Sequence, residues 1–409
     1  MEKIILDNNI PLVLKENKNT PRHALCFHFK ITEPEKKAGV YTLLNRLFLQ
    51  GTKKRDAHTL AQELDENAID CYSEMKQDFI RFKLQCLNED FEKGLEILSD
   101  VIENSTMEDF EKEVIKLKGE IQAELDEPKT MAMNAFYSNI FKNHPYGHTY
   151  TNILRDIDTI TKNDVMNAYH VLLEKSPKVI SLVGDFNGEN VQELLKKYFA
   201  NIKNIQDCKI NNEVANLEKA EIVKVTKDDA SQAQIIQGWR VPTIFDKDYA
   251  PIMVMNTLLG SSGLSSRLFL ELRDKKGLAY VVRSSYEIYD HSALFTVYIA
   301  TEPKNIKTSL EGFKIELDKV KQIPVSETEL ENAKNNLLGK RQFFSETNLQ
   351  QASLMAYYED KGLGADFEQE FNKMVKAVRV EDIKRVANTY ITDKYVLTVL
   401  APQQYLKEI

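Results

Sequence analysis

The sequence is poor in the residues that loosen or break a chain, with 15 glycines and 11 prolines among 409 residues. This scarcity excludes a linker-rich or disordered protein, and a hydrophobic fraction of 43% is enough to build a sizeable core. Cysteine is also rare, and no Cys-x-x-Cys pair occurs among Cys26, Cys71, Cys86 and Cys208. We therefore expect reduced thiols and no disulfide framework.

Long apolar runs and large basic clusters are missing as well. No stretch approaches the roughly 18 apolar residues that span a bilayer. The net charge is −8, and the one basic cluster, Lys53 to Arg55, is short, so we expect neither a membrane nor a nucleic acid as partner. The N-terminal stretch MEKIILDNN does not resemble a signal peptide. These absences predict a soluble, cytoplasmic protein.

The chain does contain a repeated order of elements. Each half opens with strands, and two helices, a pair of alternating strands and two long helices come after them. Glu113 and Glu331 are 218 positions apart, as are Asp164 and Asp382. A shared offset in two different helices indicates an internal duplication. The predicted strand pairs are 70–75 with 79–87 and 279–288 with 293–300, and the predicted long helices are 91–103, 109–127, 306–322 and 327–344.

This pattern predicts an α+β fold of two homologous domains. Alternating strands with separate helices are typical of a mostly antiparallel sheet packed with helices. We expect an N-terminal domain at 1–200, a polar linker at 201–216 and a C-terminal domain at 217–409. Two such domains facing each other would enclose a chamber, and we expect dimerisation to complete it.

The stretch Ala38–Thr52 reads AGVYTLLNRLFLQGT, an apolar helix that ends in a Gly-Thr pair. Together with the rest of the chain, from Asn9 to about Pro402, it resembles the pitrilysin/insulinase family of zinc metallopeptidases, in particular its short, processing-peptidase-like branch. In that family the helix reads His-x-x-Glu-His, which puts two zinc ligands and a general base on one helical face. The matching positions here are occupied by Thr42, Asn45 and Arg46, so the motif is degenerate.

The resemblance implies that this chain binds no zinc and no other cofactor. Thr42 and Asn45 are poor ligands, and Arg46 puts a permanent positive charge where a dication would sit. The family's third ligand is a glutamate preceded by another seven residues earlier, and these are retained as Glu120 and Glu113. We hypothesise that Glu120 pairs with Arg46, which would neutralise an otherwise buried charge.

The remaining histidines do not offer a convincing metal site. His144 and His148 are separated by Pro145 and Gly147, so helical i,i+4 chelation is not expected. His23 and His28 are five positions apart on a predicted strand and therefore point to opposite faces. We expect surface or core histidines.

The second half contains the string GSSGLSSRLFLELRDKKGLAYVV, Gly260–Val282. It predicts a helix with Ser265 as N-cap and Gly277 at its C-terminal end. Spacing alone favours ordinary roles, with Arg273 as a cation near a helix C-terminus and Tyr280 as a core or edge aromatic residue. The resemblance changes this interpretation, because the family has an Arg and a Tyr seven apart in this string. That pair binds substrate carbonyls and the oxyanion beside the zinc, which implies catalytic and substrate-binding roles in trans for Arg273 and Tyr280.

In the family, peptides also add as a strand to a sheet edge, here within 68–82. Cys71 and Tyr72 stand where active relatives tend to have small residues, so peptide addition at this edge is an unsupported expectation.

The sequence therefore predicts the non-zinc-binding subunit of a heterodimeric zinc metallopeptidase, inactive on its own. The expected partner is a homologous chain with His-x-x-Glu-His and bound zinc, and the expected substrate is a peptide. One alternative is a non-enzymatic scaffold or peptide-binding protein of the same fold. A hydrolase with another nucleophile is a further alternative, although no Gly-x-Ser-x-Gly elbow and no persuasive Cys/His pair occur.

Overall fold

The computed structural model describes residues 1–186, 188–205, 213–407 and 409. The central part of the predicted linker, residues 206–212 with Cys208, lies outside the described residues. In chain order, the first half contains β1 (Glu2–Ile5), β2 (Pro11–Glu16), β3 (Arg22–Lys30), α1 (Val40–Leu47), α2 (Ala57–Glu66), β4 (Asp70–Met75), β5 (Phe79–Leu87), α3 (Phe91–Asn104), α4 (Phe110–Asp126), α5 (Pro128–Ile140), α6 (Tyr150–Asp156), α7 (Lys162–Lys175), β6 (Lys178–Gly184) and α8 (Gly188–Phe199). The second half contains β7 (Glu221–Thr226), β8 (Ala233–Val241), α9 (Tyr249–Asn256), β9 (Ala279–Ile288), β10 (Ala293–Thr301), α10 (Ile306–Gln322), α11 (Glu327–Phe343), α12 (Asn348–Asp360), α13 (Phe367–Ala377), α14 (Val380–Tyr390) and β11 (Val396–Ala401).

The chain forms two compact units that each include a segment from the opposite half of the sequence. Unit 1 comprises Met1–Glu120, Asn152–Asn211 and Gln342–Glu368, and unit 2 comprises Ile121–Thr151, Asn212–Arg341 and Gln369–Ile409. The predicted halves, 1–200 and 217–409, follow the sequence repeat. The compact units instead exchange the segments that carry α5 and α12.

Unit 1 is built on a six-stranded sheet in the order β1-β2-β6-β3-β5-β4. Only the β2–β6 pair is parallel, which agrees with the predicted mostly antiparallel α+β fold. β6 is buried along its whole length, because α12 packs against it and against β3. The hydroxyl of Ser181 in β6 donates to the carbonyl oxygen of Ala352 in α12 at 2.6 Å. β4 forms an edge of this sheet.

Unit 2 is built on a five-stranded sheet in the order β7-β11-β8-β10-β9. Its one parallel pair is β7–β11, and α5 packs against β11 and β8. Phe136 of α5 lies directly on Gly238 of β8, where an added Cβ would come within 2.4 Å of the phenyl ring. Glycine at this position lets the helix approach the sheet closely.

The predicted elements are confirmed closely. The first strand pair has the predicted bounds, and the four long helices agree within one residue at either end. No helix in the described part of the chain is both long and apolar enough to cross a membrane.

Candidate functional site

Helix α1 is held firmly in place without a metal. It begins after Gly39, whose φ of 103° suits glycine. The carboxylate of Glu35 accepts hydrogen bonds from the backbone N–H groups of Gly39 and Tyr41, each at 3.0 Å. Leu43, Leu44 and Leu47 are fully buried. Capping and apolar burial therefore stabilise this helix whatever residues it presents at positions 42, 45 and 46.

The Gly-Thr pair after α1 has a structural role. Gly51 has a φ of 128°, and the hydroxyl of Thr52 donates to Oδ2 of Asp100 in α3 at 2.7 Å. Arg55 is also buried and donates to the same oxygen at 2.7 Å. These hydrogen bonds tie the segment after α1 to α3.

The Arg46 guanidinium binds both retained glutamates. Its Nε donates to Glu113 at 2.8 Å, and Nη1 and Nη2 donate to the two oxygens of Glu120 at 2.8 and 2.9 Å. The hypothesised pair of Arg46 with Glu120 is confirmed. The buried member is Glu113, whose side chain is 3% exposed, whereas that of Glu120 is 56% exposed. Arg46 therefore compensates the buried charge of Glu113, which Lys116 also contacts at 2.7 Å, as well as the exposed charge of Glu120.

The ionisation of this cluster follows from its hydrogen bonds. The bond from Arg46, reinforced by the guanidinium charge, lowers the pKa of the Glu120 carboxyl. Conversely, the bond to Glu120 contributes most to raising the pKa of Arg46, and Glu113 adds to it. Two parallel N–H···O bonds between ionised groups are among the strongest side-chain contacts. Arg46 and Glu120 therefore stay ionised across the neutral range.

The residues at this position do not fit a zinc ion. A tetrahedral zinc site needs three or four nitrogen, sulfur or oxygen ligands free to face the metal. Here both carboxylates are bound by a guanidinium, and Asn45 and Thr42 supply no imidazole or carboxylate. Within residues 1–186, 188–205, 213–407 and 409, no group of three or more His, Cys, Asp or Glu side chains could hold a metal ion.

The histidines predicted not to chelate lie in packed surroundings. Pro145–Gly147 forms a 3₁₀ turn, and Nδ1 of His144 accepts the N–H of Tyr146 at 3.1 Å. His23 is buried and stacks on Phe91, with ring centroids 4.3 Å apart.

Arg273 lies in unit 2 on a π-helical segment, Phe269–Lys275. The helix begins at Arg267, so Ser266 precedes it and the predicted N-cap at Ser265 is wrong. Gly277 does end the helix, with a φ of 61° and an N–H that donates to the carbonyl oxygen of Arg273 at 3.0 Å. The side chain of Arg273 therefore projects from the last helical turn.

Tyr280 is the extra residue of a β-bulge at the start of β9. The register joins Val281 to Ala300 and Ala279 to Thr301, which leaves Tyr280 without an opposite residue in β10. A bulge of this kind re-aims a side chain, and Tyr280 is 76% exposed. The hydroxyl of the buried Thr301 donates to the carbonyl oxygen of Leu278 at 2.6 Å. This hydrogen bond fixes the residue that precedes β9.

The fold brings Arg273 and Tyr280 together. Nη1 of Arg273 donates to the carbonyl oxygen of Tyr280 at 2.8 Å, and its guanidinium carbon lies 4.6 Å from the centre of the Tyr280 ring. The other N–H groups of Arg273 and the hydroxyl of Tyr280 are donors of the kind that bind a carbonyl oxygen or an oxyanion. The family resemblance pointed to this pair, but the bulge that aims Tyr280 left no signal in the sequence.

The edge of the unit 1 sheet next to α1 is strand β4. Ser73 of β4 donates its hydroxyl hydrogen to the carbonyl oxygen of Asn45 at 2.9 Å. Tyr72 is 41% exposed, and burial raises the pKa of the Cys71 thiol to about 12. Cys71 is therefore a poor nucleophile. Peptide addition at this edge stays a prediction.

Two family models match the chain in succession. Residues 13–152 match the model described as "Insulinase (Peptidase family M16)". Residues 159–337 match the model described as "Peptidase M16 inactive domain". The two matches are separated by six residues, and the second begins within the first predicted domain and extends through much of the second.

Similar proteins cover nearly the whole chain. An uncharacterized zinc protease of Rickettsia felis is 23% identical over 383 residues, which are 90% of this chain and 89% of the relative. The zinc protease PqqE of Helicobacter pylori is 26% identical over 379 residues, or 89% and 83% of the two chains. Among solved structures, a protease from Helicobacter pylori superposes with a TM-score of 0.89 at 24% identity, covering 98% of this chain and 99% of the other. A peptidase M16 inactive domain from Pseudomonas fluorescens superposes with a TM-score of 0.88 at 20% identity, covering 98% of each chain.

Proposed function

The chain belongs to the insulinase (M16) peptidase family, and we propose that it is the non-zinc-binding subunit of a two-chain peptidase. A homologous partner carries the His-x-x-Glu-His helix and the zinc. This chain supplies Arg273 and Tyr280 in trans, and the substrate is a peptide.

The observation that carries this proposal is the contrast between the two halves of the site. At the zinc helix, Arg46 is bound to Glu113 and Glu120, and this set of residues does not fit a zinc ion. At the other motif, Arg273 and Tyr280 are close together and Tyr280 is largely exposed.

The chemistry of this chain would be hydrogen bonding to the substrate. The Tyr280 hydroxyl and the free N–H groups of Arg273 would bind a carbonyl oxygen of the peptide and the negative charge that develops on it. Activation of water belongs to the partner's zinc. No step of the reaction passes through Thr42, Asn45 or Arg46.

The proposed complex acts in the cytoplasm. Cys26, Cys71 and Cys86 are free thiols in the described part of the chain. Free thiols are typical of a reducing compartment, whereas secreted proteins usually pair their cysteines.

A non-enzymatic role in peptide binding or assembly is the second candidate. It is favoured because both zinc ligands and the general base of the family's zinc helix are replaced, by Thr42, Arg46 and Asn45. In that case Arg273 and Tyr280 would hold a peptide without cleavage, or would contact no substrate at all. The two candidates differ in whether a complex of this chain hydrolyses peptides.

Capture of the tagged full-length chain from its native cells tests the proposal. Mass spectrometry should find an equimolar homologous protein that contains His-x-x-Glu-His, and the complex should cleave peptides that neither chain cleaves alone. The Tyr280→Phe variant should capture the same partner, since it removes one hydroxyl from an exposed residue. Absence of such a partner, or a zinc-loaded complex without peptidase activity, would overturn the proposal in favour of the second candidate.

A further inference from the structure

Arg273 forms a stack with two aromatic side chains, those of Phe269 and Tyr280. Phe269 precedes Arg273 by four positions in the segment Phe269–Lys275. The guanidinium carbon lies 4.7 Å from the centre of the Phe269 ring and 4.6 Å from that of Tyr280. Each distance is within the range of a cation–π contact. The two rings together therefore restrict the guanidinium more than the Tyr280 ring does alone.

We propose that Phe269 is a positioning residue, which holds Arg273 in the orientation that contacts the substrate. This inference rests on the proposed function and adds a residue to which neither the motif nor the spacing assigned a role. Phe269 itself touches no substrate. It acts through the side chain of Arg273.

The physical reason is the flexibility of arginine. A free arginine side chain populates many rotamers, and ordering it costs conformational entropy. Contact with the two rings limits these rotamers, while the guanidinium keeps N–H groups that can still donate. One of them already binds the carbonyl oxygen of Tyr280. The remaining donors are then presented in a restricted set of directions before the substrate arrives, which lowers the cost of binding it.

The segment that carries Phe269 is itself anchored on both sides. Arg267 makes two hydrogen bonds to Glu329 of α11, at 2.6 and 2.7 Å. Leu272 is fully buried against Gly312 of α10, where an added Cβ would come within 2.9 Å of its side chain. Phe269 therefore stands on a fixed backbone, and its ring can act as a rigid surface for Arg273.

Site-resolved labelling of the full-length chain with phenylglyoxal, a dicarbonyl that reacts with guanidinium groups, tests the stack without the partner. Phe269→Leu should raise the modification rate of Arg273 by about two- to fivefold, the factor that one exposed cation–π contact is worth. Phe269→Tyr should restore the parental rate, because the ring is kept. Arg267, held by Glu329, is the internal control and should not change. Leu270→Ala is the matched control variant, since Leu270 is the exposed neighbour outside the stack.

The second readout is kcat/KM of the complex with its partner. Phe269→Leu should lower it at least twofold, Phe269→Tyr should restore it, and Leu270→Ala should leave it unchanged. An unchanged labelling rate at Arg273 in Phe269→Leu overturns the inference, and so does a raised labelling rate with parental kcat/KM. If Arg273→Ala leaves kcat/KM at the parental value, the proposed function fails instead, and labelling still decides whether Phe269 holds Arg273.

Discussion

Arg46 makes two parallel hydrogen bonds to the carboxylate of Glu120, one to each oxygen, at 2.8 and 2.9 Å. Arg46 lies on α1 and Glu120 on α4, so a protein cation joins the two helices that a zinc site would join in a metal-binding relative. The third member, Glu113, is the buried one. The carboxylates of Glu113 and Glu120 are therefore compensated by Arg46, although the zinc ligands of the family motif are absent from α1.

Arg46→Ala should destabilise the protein. It leaves the buried carboxylate of Glu113 with Lys116 as its remaining ionic partner, and we expect a loss of about 1–3 kcal/mol in the free energy of unfolding. Urea denaturation measures this loss. Lys112→Ala on α4 is the control, because the Lys112 side chain is 59% exposed and its pair with Asp109 should be worth less than about 1 kcal/mol. A parental unfolding midpoint for Arg46→Ala would show that the cluster does not stabilise the fold.

The chain should not bind zinc, and three substitutions on α1 should restore binding. Thr42→His, Asn45→Glu and Arg46→His together put two imidazoles four positions apart on one helical face and release Glu120 as a third ligand. Isothermal titration calorimetry should detect no zinc binding by the parental chain and binding at micromolar concentration or tighter by the triple variant, about the strength of an imperfect three-ligand site. Arg46→Ala alone is the control and should not bind. Stoichiometric zinc binding by the parental chain would contradict the structural assignment.

Glu74 on β4 should make stability depend on pH under acidic conditions. Burial of this carboxyl would raise its pKa, but hydrogen bonds and charges from Lys83 and Arg81 outweigh burial and lower it to about 2. The lowered pKa stabilises the fold fully above about pH 4.5, and this stabilisation is lost as the pH falls towards 2. Glu74→Gln should therefore lower the free energy of unfolding by about 1–3 kcal/mol at pH 7, with a much smaller difference near pH 2. Denaturation at a series of pH values measures the difference in free energy of unfolding between the two proteins. An equal difference at pH 7 and near pH 2 would contradict the lowered pKa of Glu74.

Gly277→Ala should destabilise the turn between Arg273 and Tyr280. Gly277 has a φ of 61°, and an added Cβ would meet no atom within 4 Å, so the cost is that of the left-handed backbone alone, about 1–2 kcal/mol. Gly119→Ala is the matched control, because it should change the stability in the opposite direction. Gly119 also has open space around it, but it lies inside α4, where alanine should stabilise the helix by about 0.5–1 kcal/mol. Thermal unfolding of the two variants should give shifts of opposite direction.

The sequence predicted the local structure well because local structure depends on periodicity. The alternation at 70–75 and 79–87 and the long amphipathic helices are short-range patterns. The pairing of Arg46 with Glu120 was also predictable, because the resemblance placed both residues at one site. Contact between Arg46 and Glu113 emerged only from the structure, since the reach of a guanidinium depends on how α1 and α4 cross.

Two features could not be predicted because they depend on distant partners. Helices α5 and α12 have ordinary helical patterns, and nothing in those patterns says which sheet each one covers. Likewise, the bulge at Tyr280 exists only relative to β10, whose register shifts at Thr301. A strand pattern read along one segment cannot reveal an extra residue that is defined by the neighbouring strand.

The most direct test of the account is the turnover of the reconstituted complex with Tyr280→Phe in this chain. We expect kcat to fall by about ten- to a thousandfold, in line with the loss of one oxyanion donor, with unchanged assembly and an unchanged zinc content of the partner. Tyr405→Phe is the control, since Tyr405 is another exposed tyrosine and lies outside both candidate substrate contacts. Parental turnover of the Tyr280→Phe complex would contradict the central claim that this chain completes the active site in trans.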